Sequence, residues 1–309
     1  MALYLTNEDV RQLLSMDECV EVLEDLFRQE SQGLVENLPR RRRRYGGANS
    51  TVMGGAVIGS GAHGVRHSNV TLLYSTETGN LDAVIQPSTL AWIRTGAASG
   101  VAAKYMSRPE SSVVGVIGAG HQAITQLEAI CAVRTVSLAK IYARTEETRR
   151  QFAAEMAEHL GIDVRPVGSP EEAVRGSDIV DVITSAREPT FDGALLEEGT
   201  HVIAAGVNSW TKREIDERTI ERSSLIAVDN MEQARIECGD LLWAAERGTF
   251  RWGQAVELHQ VVSGQVPGLP SSEAITLFES QGIGIEDIAA SAYVLKKARA
   301  AGVGQELPF

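Results

Sequence analysis

The chain has 309 residues, 43% of them hydrophobic, and a formal net charge of -12. This length exceeds what one hydrophobic core usually serves, so two domains are expected, and the negative charge argues against a nucleic-acid partner, since polyanions bind clustered Lys and Arg. Acidic residues come before any apolar run, so we expect neither a signal peptide nor a membrane span, and hence a cytoplasmic location. Cys19, Cys131 and Cys238 are widely spaced, so we expect reduced thiols and no metal site.

The N-terminal part predicts two helices and then strands. Cap-type side chains followed by acids begin the helices Thr6 to Leu14 and Met16 to about Gly33. Alternating apolar residues predict strands from Ser68 to Tyr74 and from Leu81 to Ile85, and the Gly and Asn between them predict a hairpin turn.

The most informative segment begins at Val113. A short β-branched run, Val113 to Ile117, ends in glycines that let the backbone turn tightly and approach a pyrophosphate. The helix that follows would direct its free N–H groups at that phosphate, and Ala123 takes the third small-residue place of the fingerprint. A glycine-rich turn in a core strand is the alternative. The candidate cofactor-binding residues here are Gly118, Gly120, His121 and Gln122.

Strands and helices then alternate through the middle of the chain, as a doubly wound parallel sheet requires. A helix from Glu146 to about His159 and a short helix capped by Ser169 separate some of these strands. Five strands are predicted after the first, at Ser137–Tyr142, Asp163–Arg165, Asp178–Ile183, His201–Ala205 and Ser224–Val228. The pattern predicts an α/β protein with a Rossmann dinucleotide-binding domain at 111–281. The second, mixed α+β domain would combine 1–110 with 282–309, including a helix from Ile285 to Ala301 that packs back on it.

The end of the second strand decides which dinucleotide is favoured. An acid there would bind ribose hydroxyls, but the chain has Arg144 and Thr145, which suit a 2′-phosphate. We therefore expect NADP(H), with NAD(H) possible; a solvated Arg144 is the alternative. Thr184 and Ser185 follow the fourth strand and Asp229 the sixth, where each could contact the cofactor or simply cap a helix.

Several separated motifs resemble the ornithine cyclodeaminase and mu-crystallin family over nearly the whole chain. They are Glu77-Thr78-Gly79, Leu90 to Ser99, Ile117 to Ala123, Lys212 to Asp216, Val228 to Ala234 and Thr276 to Gly284. The resemblance implies that the second domain binds substrate and forms a homodimer by joining sheets, with substrate in the cleft between domains. Its members include cyclodeaminases, alanine dehydrogenases and ketimine reductases, so a small carboxylate-bearing imine, oxo or amino acid is the implied substrate.

The resemblance also assigns anion contacts. Arg94 would hold the substrate carboxylate or the cofactor phosphates, with Thr95 beside it as a cofactor contact; pairing of Arg94 with a nearby acid is the alternative. One member of the run Arg40 to Arg44 would be the family's first substrate-binding arginine, and Arg42 is taken as the candidate, although a solvated basic strand is as good an interpretation.

Two departures from the family bear on mechanism. Arg66 stands where the family usually has lysine, and Asn208 where cyclodeaminases have aspartate; neither exchanges a proton readily near neutral pH. His63 and His67 flank Arg66 in sequence and could supply a proton, or could be ordinary surface or packing residues. Arg66, Asn208 and His67 are the candidate catalytic residues, and Arg66 is also a candidate substrate contact.

Three functions remain open. The first is an NADP(H)-dependent oxidoreductase acting on a C=N or amino-acid C–N bond of a small carboxylate. The second is an ornithine-type cyclodeaminase, which needs oxidation, ring closure and reduction in one site. The third is a dinucleotide-binding protein with little catalysis, which the Arg66 and Asn208 departures would permit.

Overall fold

A computed structural model describes residues 1–308, and the chain divides into two compact units. The first comprises Met1–Ala98 together with the chain from Ile283 onward, and the second comprises Ser99–Gly282. Among the residues described, no helix combines the length and apolar composition that a membrane crossing requires. The thiols of Cys19, Cys131 and Cys238 are all free.

The first unit opens with a strand and two capped helices and continues as a meander of strands. The predicted caps are confirmed: Thr6 and Ser15 each form a reciprocal capping box with an acid three residues on. The predicted hairpin turn is also present, with Gly79 at a φ of 71°. The elements are β1 (Ala2–Leu5), α1 (Asn7–Leu13), α2 (Met16–Ser31), β2 (Val35–Tyr45), β3 (Ala48–Val57), β4 (Ala62–His67), β5 (Val70–Ser75), β6 (Leu81–Ile85) and α3 (Pro87–Met106), whose residues from Ser99 onward belong to the second unit.

The second unit is an α/β domain built on a parallel sheet. Its elements are β7 (Val113–Ile117), α4 (His121–Val133), β8 (Leu138–Tyr142), α5 (Glu146–Leu160), β9 (Asp163–Pro166), α6 (Pro170–Val174), β10 (Ile179–Val182), β11 (His201–Ala204), α7 (Glu217–Arg222), β12 (Leu225–Val228), α8 (Met231–Glu237), α9 (Gly239–Glu246), β13 (Ala255–Glu257), α10 (Leu258–Val262) and β14 (Thr276–Glu279). The strand order is β13-β12-β14-β11-β10-β7-β8-β9. The chain starts at β7, moves outward to β9 and returns to the other side of β7, which is the Rossmann arrangement.

The predicted fold is confirmed, with two strands added to the sheet. The predicted sixth strand exists as β12, but β14 lies between it and β11 and β13 is added at the sheet edge, so the sheet has eight strands rather than six. β14 is short and fully buried, and neither alternation nor length distinguishes such a strand in sequence. β13, at the sheet edge, was also not predicted.

The C-terminal elements complete the first unit. They are α11 (Gly284–Ala301) and β15 (Gln305–Leu307), and the seven-stranded sheet has the order β15-β1-β6-β5-β4-β3-β2. The predicted helix is confirmed, but its first half is buried on nearly every side rather than along one stripe. It lies so close to β3 that a Cβ on Gly284 would come within 2.4 Å of the Gly54 nitrogen. The inner face of this sheet is therefore packed on α11.

Candidate functional site

The loop after β7 has the geometry of a dinucleotide-binding turn. Gly118 has a φ of 130°, and a Cβ there would lie 2.2 Å from the carbonyl oxygen of Ile183, so only glycine fits. Gly120 is the N-cap of α4, with no side-chain cap hydrogen bond, and a Cβ on it would meet nothing within 4 Å. Ala123 is fully buried at the third position of the fingerprint. The residues present thus fit a pyrophosphate at the start of α4.

The crevice between the loops after β7 and β10 lies at the topological switch point of the sheet, because the chain leaves these two neighbouring strands in opposite directions. His121 is exposed on the β7 side, and the Oε1 of Gln122 is buried with no hydrogen-bond partner among residues 1–308. Both remain predicted cofactor contacts.

Thr184 and Ser185 form the β10 side of that crevice. The Thr184 N–H and hydroxyl donate to Glu214 at 2.5 and 2.6 Å, while Ser185 is exposed. The alternative that they cap a following helix is wrong, because the next regular element is a single 3-10 turn that Asp192 caps. A cofactor contact for either stays a prediction.

The end of β8 carries the residues predicted to select the dinucleotide. Arg144 and Thr145 are both exposed, and Thr145 stands at the N-cap of α5 without capping it through its side chain. Arg149 donates to the carbonyl of Ala143 at 3.2 Å, and Arg150 pairs with Glu146 at 2.7 Å. Within residues 1–308, no carboxylate forms an ion pair with Arg144. Its guanidinium can accept an anion.

Asp229 follows β12 and is fully buried. Its Oδ2 accepts the N–H groups of Gln281 and Gly282, both at 2.7 Å, so it orders the loop after β14. The alternative that Asp229 caps the next helix is wrong, because Asn230 is the N-cap of α8. Asn208, after β11, is exposed at the same carboxyl edge of the sheet.

The first unit buries a cluster of two arginines and two acids at the start of α11. Arg94 Nη1 lies 2.7 Å from Glu286 Oε2 and its Nη2 lies 3.3 Å from Asp287 Oδ2, and the Arg94 side chain is only 4% exposed. Arg66 Nη1 lies 3.1 Å from Asp287 Oδ1, with 23% of its side chain exposed. Arg94 is therefore paired with acids, as the alternative interpretation of this residue expected. Its predicted contact with the substrate carboxylate or the cofactor phosphates stays a prediction, and its charge is already matched by buried acids.

Arg66 is more accessible to a bound anion than Arg94. Its side chain is partly exposed, and Asp287 accepts only from Nη1 of a guanidinium that carries five N–H donors. Thr71, directly across from Arg66 on β5, has a buried hydroxyl with no hydrogen-bond partner among residues 1–308. A substrate carboxylate contact by Arg66 stays a prediction. Thr95 is buried on α3, where its predicted cofactor contact is likewise untested.

The histidines do not lie beside the Arg66 side chain. Successive side chains alternate faces along β4, so His67 and His63 lie on the face opposite to Arg66. His63 stacks on Tyr74 with ring centroids 5.4 Å apart, and exposed His67 contacts the Ser50 hydroxyl at 2.9 Å. This corrects the expectation that either could exchange a proton next to Arg66.

The arginine run lies on β2, an edge strand of the sheet. Arg42 is exposed and pairs across from Thr51, whereas Arg40 is the buried member of the run at 8% exposure. The structure thus favours Arg40 over Arg42 as the arginine nearest the interior. A substrate contact by either remains a prediction.

Sequence reasoning missed the buried acids that order both units. They are Glu214, Asp240, Glu286 and Asp287, all 3% exposed or less. Burial raises the pKa of Glu214 to about 8 and that of Asp240 to about 6, while backbone hydrogen bonds oppose both shifts. Glu214 lies inside a recognised family motif, but its own role was not assigned. The other three acids lie in the first turns of helices, where acids commonly stabilise the helix, so their position did not indicate any other role.

Comparison with known proteins places these features in context. A Δ1-pyrroline-2-carboxylate reductase of Bacillus cereus is 35% identical over 243 residues, covering 78% of this chain and 74% of that protein. The structure of Thermococcus litoralis Δ1-pyrroline-2-carboxylate reductase in complex with NADH and L-proline is 34% identical, with a TM-score of 0.94 over 99% of this chain and 100% of that one. An archaeal alanine dehydrogenase dimer with bound NAD is 32% identical, with a TM-score of 0.92 over 100% and 99%. Residues 2–302 match the model of the ornithine cyclodeaminase/mu-crystallin family, and the chain belongs to that family.

Proposed function

We propose that the protein is an NAD(P)H-dependent oxidoreductase that reduces the C=N bond of a small imine carboxylate, or in reverse oxidises an amino acid. NADP(H) is the preferred cofactor. The observation that carries the proposal is the glycine turn at the uncapped start of α4, where a Cβ on Gly120 would meet open space. The related reductases and alanine dehydrogenase act on substrates in which one carbon carries both a nitrogen and a carboxylate.

The two departures from the family favour simple reduction over cyclodeamination. A bound nicotinamide supplies a hydride, and a protonated imine already carries the charge that hydride transfer neutralises. The protein then needs to bind and orient a carboxylate, and the exposed part of Arg66 suits that task. Deamination with ring closure needs a group that exchanges protons, which Arg66 and Asn208 do not provide near neutral pH.

The preference for NADP(H) rests on the end of β8. Arg144 is exposed there and forms no ion pair among the residues described, and no acid occupies the position that would bind the ribose hydroxyls. The two related structures above hold NADH and NAD, so use of NAD(H) is the alternative that measurement must separate.

The test follows absorbance loss of NADPH, with NADH in parallel. The panel contains five- and six-membered cyclic imine carboxylates, and pyruvate or glyoxylate with ammonia or methylamine. We expect at least one compound of the panel to be reduced, and NADPH to be consumed faster than NADH in that reaction. Ammonia release from L-ornithine without net change in cofactor would instead identify a cyclodeaminase. Inactivity with every compound, together with tight NADPH binding, would identify a binding protein.

We further propose that the protein is a homodimer. Five of the eight exposed large hydrophobic side chains among the described residues lie between positions 34 and 58, and a groove on the outer face of β2–β5 is lined by Leu38, Ala56, Val65 and Tyr74. An outer face with these exposed apolar side chains, beside the charged Glu36 and Arg41, suits a protein interface. A cytoplasmic location remains a prediction from charge and cysteine usage.

A further inference from the structure

Glu214 joins the ends of two neighbouring parallel strands. β10 and β11 pair up to Val182 and Ala204, and Thr184 and Gly206 each follow two residues later. Glu214 Oε1 accepts the Thr184 N–H at 2.5 Å and its hydroxyl at 2.6 Å, and Oε2 accepts the Gly206 N–H at 2.7 Å. One carboxylate thus continues the cross-strand bonding where the strands themselves stop pairing.

The surroundings of Glu214 leave it little freedom to move. The residue is fully buried, and Asp240 Oδ1 accepts the backbone N–H groups of Glu214 and Ile215 at 2.8 and 3.0 Å. A Cβ on Gly206 would come within 2.3 Å of the Thr184 backbone and 2.6 Å of Glu214 Oε1. The close approach of the two loops therefore depends on glycine on one side and a carboxylate between them.

The two loops that Glu214 joins carry predicted ligand contacts. The β10 loop carries Thr184 and Ser185, and its Ile183 carbonyl is the group against which Gly118 packs. The β11 loop carries Asn208. We propose that Glu214 is a positioning residue for the dinucleotide: it fixes the β10 side of the crevice against the β11 loop, and it contacts neither cofactor nor substrate. This inference rests on the proposed dinucleotide-dependent function.

The experiment compares Glu214→Gln with Asp216→Asn. Glutamine keeps the size of Glu214, but its NH2 group must face one of the three donors, so one loop loses its acceptor. Asp216 is a matched control, because it also accepts two backbone N–H groups and one threonine hydroxyl, from Gly193 at 3.0 Å and from Thr219 at 2.8 and 2.7 Å. Those bonds hold the start of α7 rather than the crevice.

NADPH binding is measured by fluorescence titration, and melting temperature is measured for each variant. Both variants are expected to melt at a lower temperature. Glu214→Gln is expected to raise the Kd for NADPH about tenfold, as the loss of one hydrogen bond at a binding loop would, while Asp216→Asn leaves the Kd unchanged. A Kd that is unchanged in Glu214→Gln, or equally raised in both variants, overturns the inference and leaves the proposed function intact. Absence of NADPH and NADH binding by the wild-type protein overturns both.

A second pair of variants keeps the inference testable if Glu214→Gln does not fold. Asp240→Asn retains an oxygen that can accept the backbone N–H groups of Glu214 and Ile215, whereas Asp240→Ala removes that acceptor. A Kd for NADPH raised in the alanine variant and near wild type in the asparagine variant supports the inference. Equal affinities of these two variants overturn it.

Discussion

Asp181 is the most unusual single residue of the second unit. It lies in the middle of the central strand β10, fully buried, and neither of its carboxylate oxygens has a hydrogen-bond partner within residues 1–308. Burial raises its pKa from 3.8 to about 8. The folded protein therefore binds a proton that the unfolded chain has released, so the contribution of Asp181 to stability falls as pH rises from about 4 to about 8.

Replacing Asp181 with valine should stabilise the protein. Valine is β-branched, suits a buried strand and has no polar atoms to desolvate, so the free energy of unfolding should rise by about 2 kcal/mol at neutral pH. Urea unfolding at pH 5.5, 7 and 8.5 should show the gain increasing with pH. The same substitution at Asp163, which is exposed on β9, should change the free energy of unfolding little and should not alter its dependence on pH. A gain that is constant across pH would refute the assigned role of the carboxylate.

Arg144 provides the residue-scale test of cofactor choice. If its guanidinium binds the 2′-phosphate, Arg144→Ala should raise the Kd for NADPH about tenfold and leave the Kd for NADH unchanged, because only NADPH carries that phosphate. Arg150→Ala is the control, since Arg150 already pairs with Glu146 on the exposed side of α5. Equal effects of Arg144→Ala on both cofactors would contradict the proposal.

At the scale of the element, α11 is the helix on which the first unit depends. Its first turn supplies Glu286 and Asp287 to Arg94 and Arg66, and Gly284 lets it approach the backbone of Gly54 closely. A methyl group there would meet backbone atoms that cannot move independently. The position of the charged cluster is therefore set by a glycine contact two residues before Glu286 and by the packing of the whole helix.

Gly284→Ala should lower stability by about 2–4 kcal/mol, because overpacking at backbone contacts forces the helix to shift. Gly47→Ala is the matched control in the same unit, since a Cβ at Gly47 would meet nothing within 4 Å. Thermal and urea unfolding of the two variants make the comparison. If Gly284→Ala unfolds at the same temperature and urea concentration as wild type, the close packing of α11 on β3 is not required for stability.

The elements also show what the sequence could and could not predict. Caps at Thr6 and Ser15, the glycine turn at Gly118 and the strands beside it depend on local chemistry, and they appear where predicted. α3 was missed because it is buried along most of its length, which leaves no polar stripe to define a period. Pairing of Arg94 with an acid was one of the alternatives, but its partner Glu286 was not identified, because it lies 192 residues away along the chain and no local pattern encodes such a contact.

At the scale of the whole molecule, the chemistry is divided between the two units. The Rossmann unit carries the glycine turn, Arg144 and the loops that Glu214 joins, whereas the first unit carries Arg66 and the buried ion cluster. The first unit also presents the apolar outer face of its sheet, while the arginine run on the edge strand β2 places charge where another strand could otherwise pair. Association is thus expected through the face of the sheet and not through this edge.

The homodimer proposal makes a prediction about that face. Leu38 and Val52 lie on it with 48% and 37% exposure, and cross-strand pairing places them on the same side of β2 and β3. Wild type should sediment as a dimer at micromolar concentration, and Leu38→Glu with Val52→Glu should sediment as a folded monomer, because two carboxylates would be desolvated in the interface. Ile236→Glu, at the 39% exposed residue of the second unit, should remain dimeric. Sedimentation velocity measures the oligomeric state, and far-UV circular dichroism measures whether each variant is folded. A folded double variant that stays dimeric would show that the interface does not lie on the sheet face.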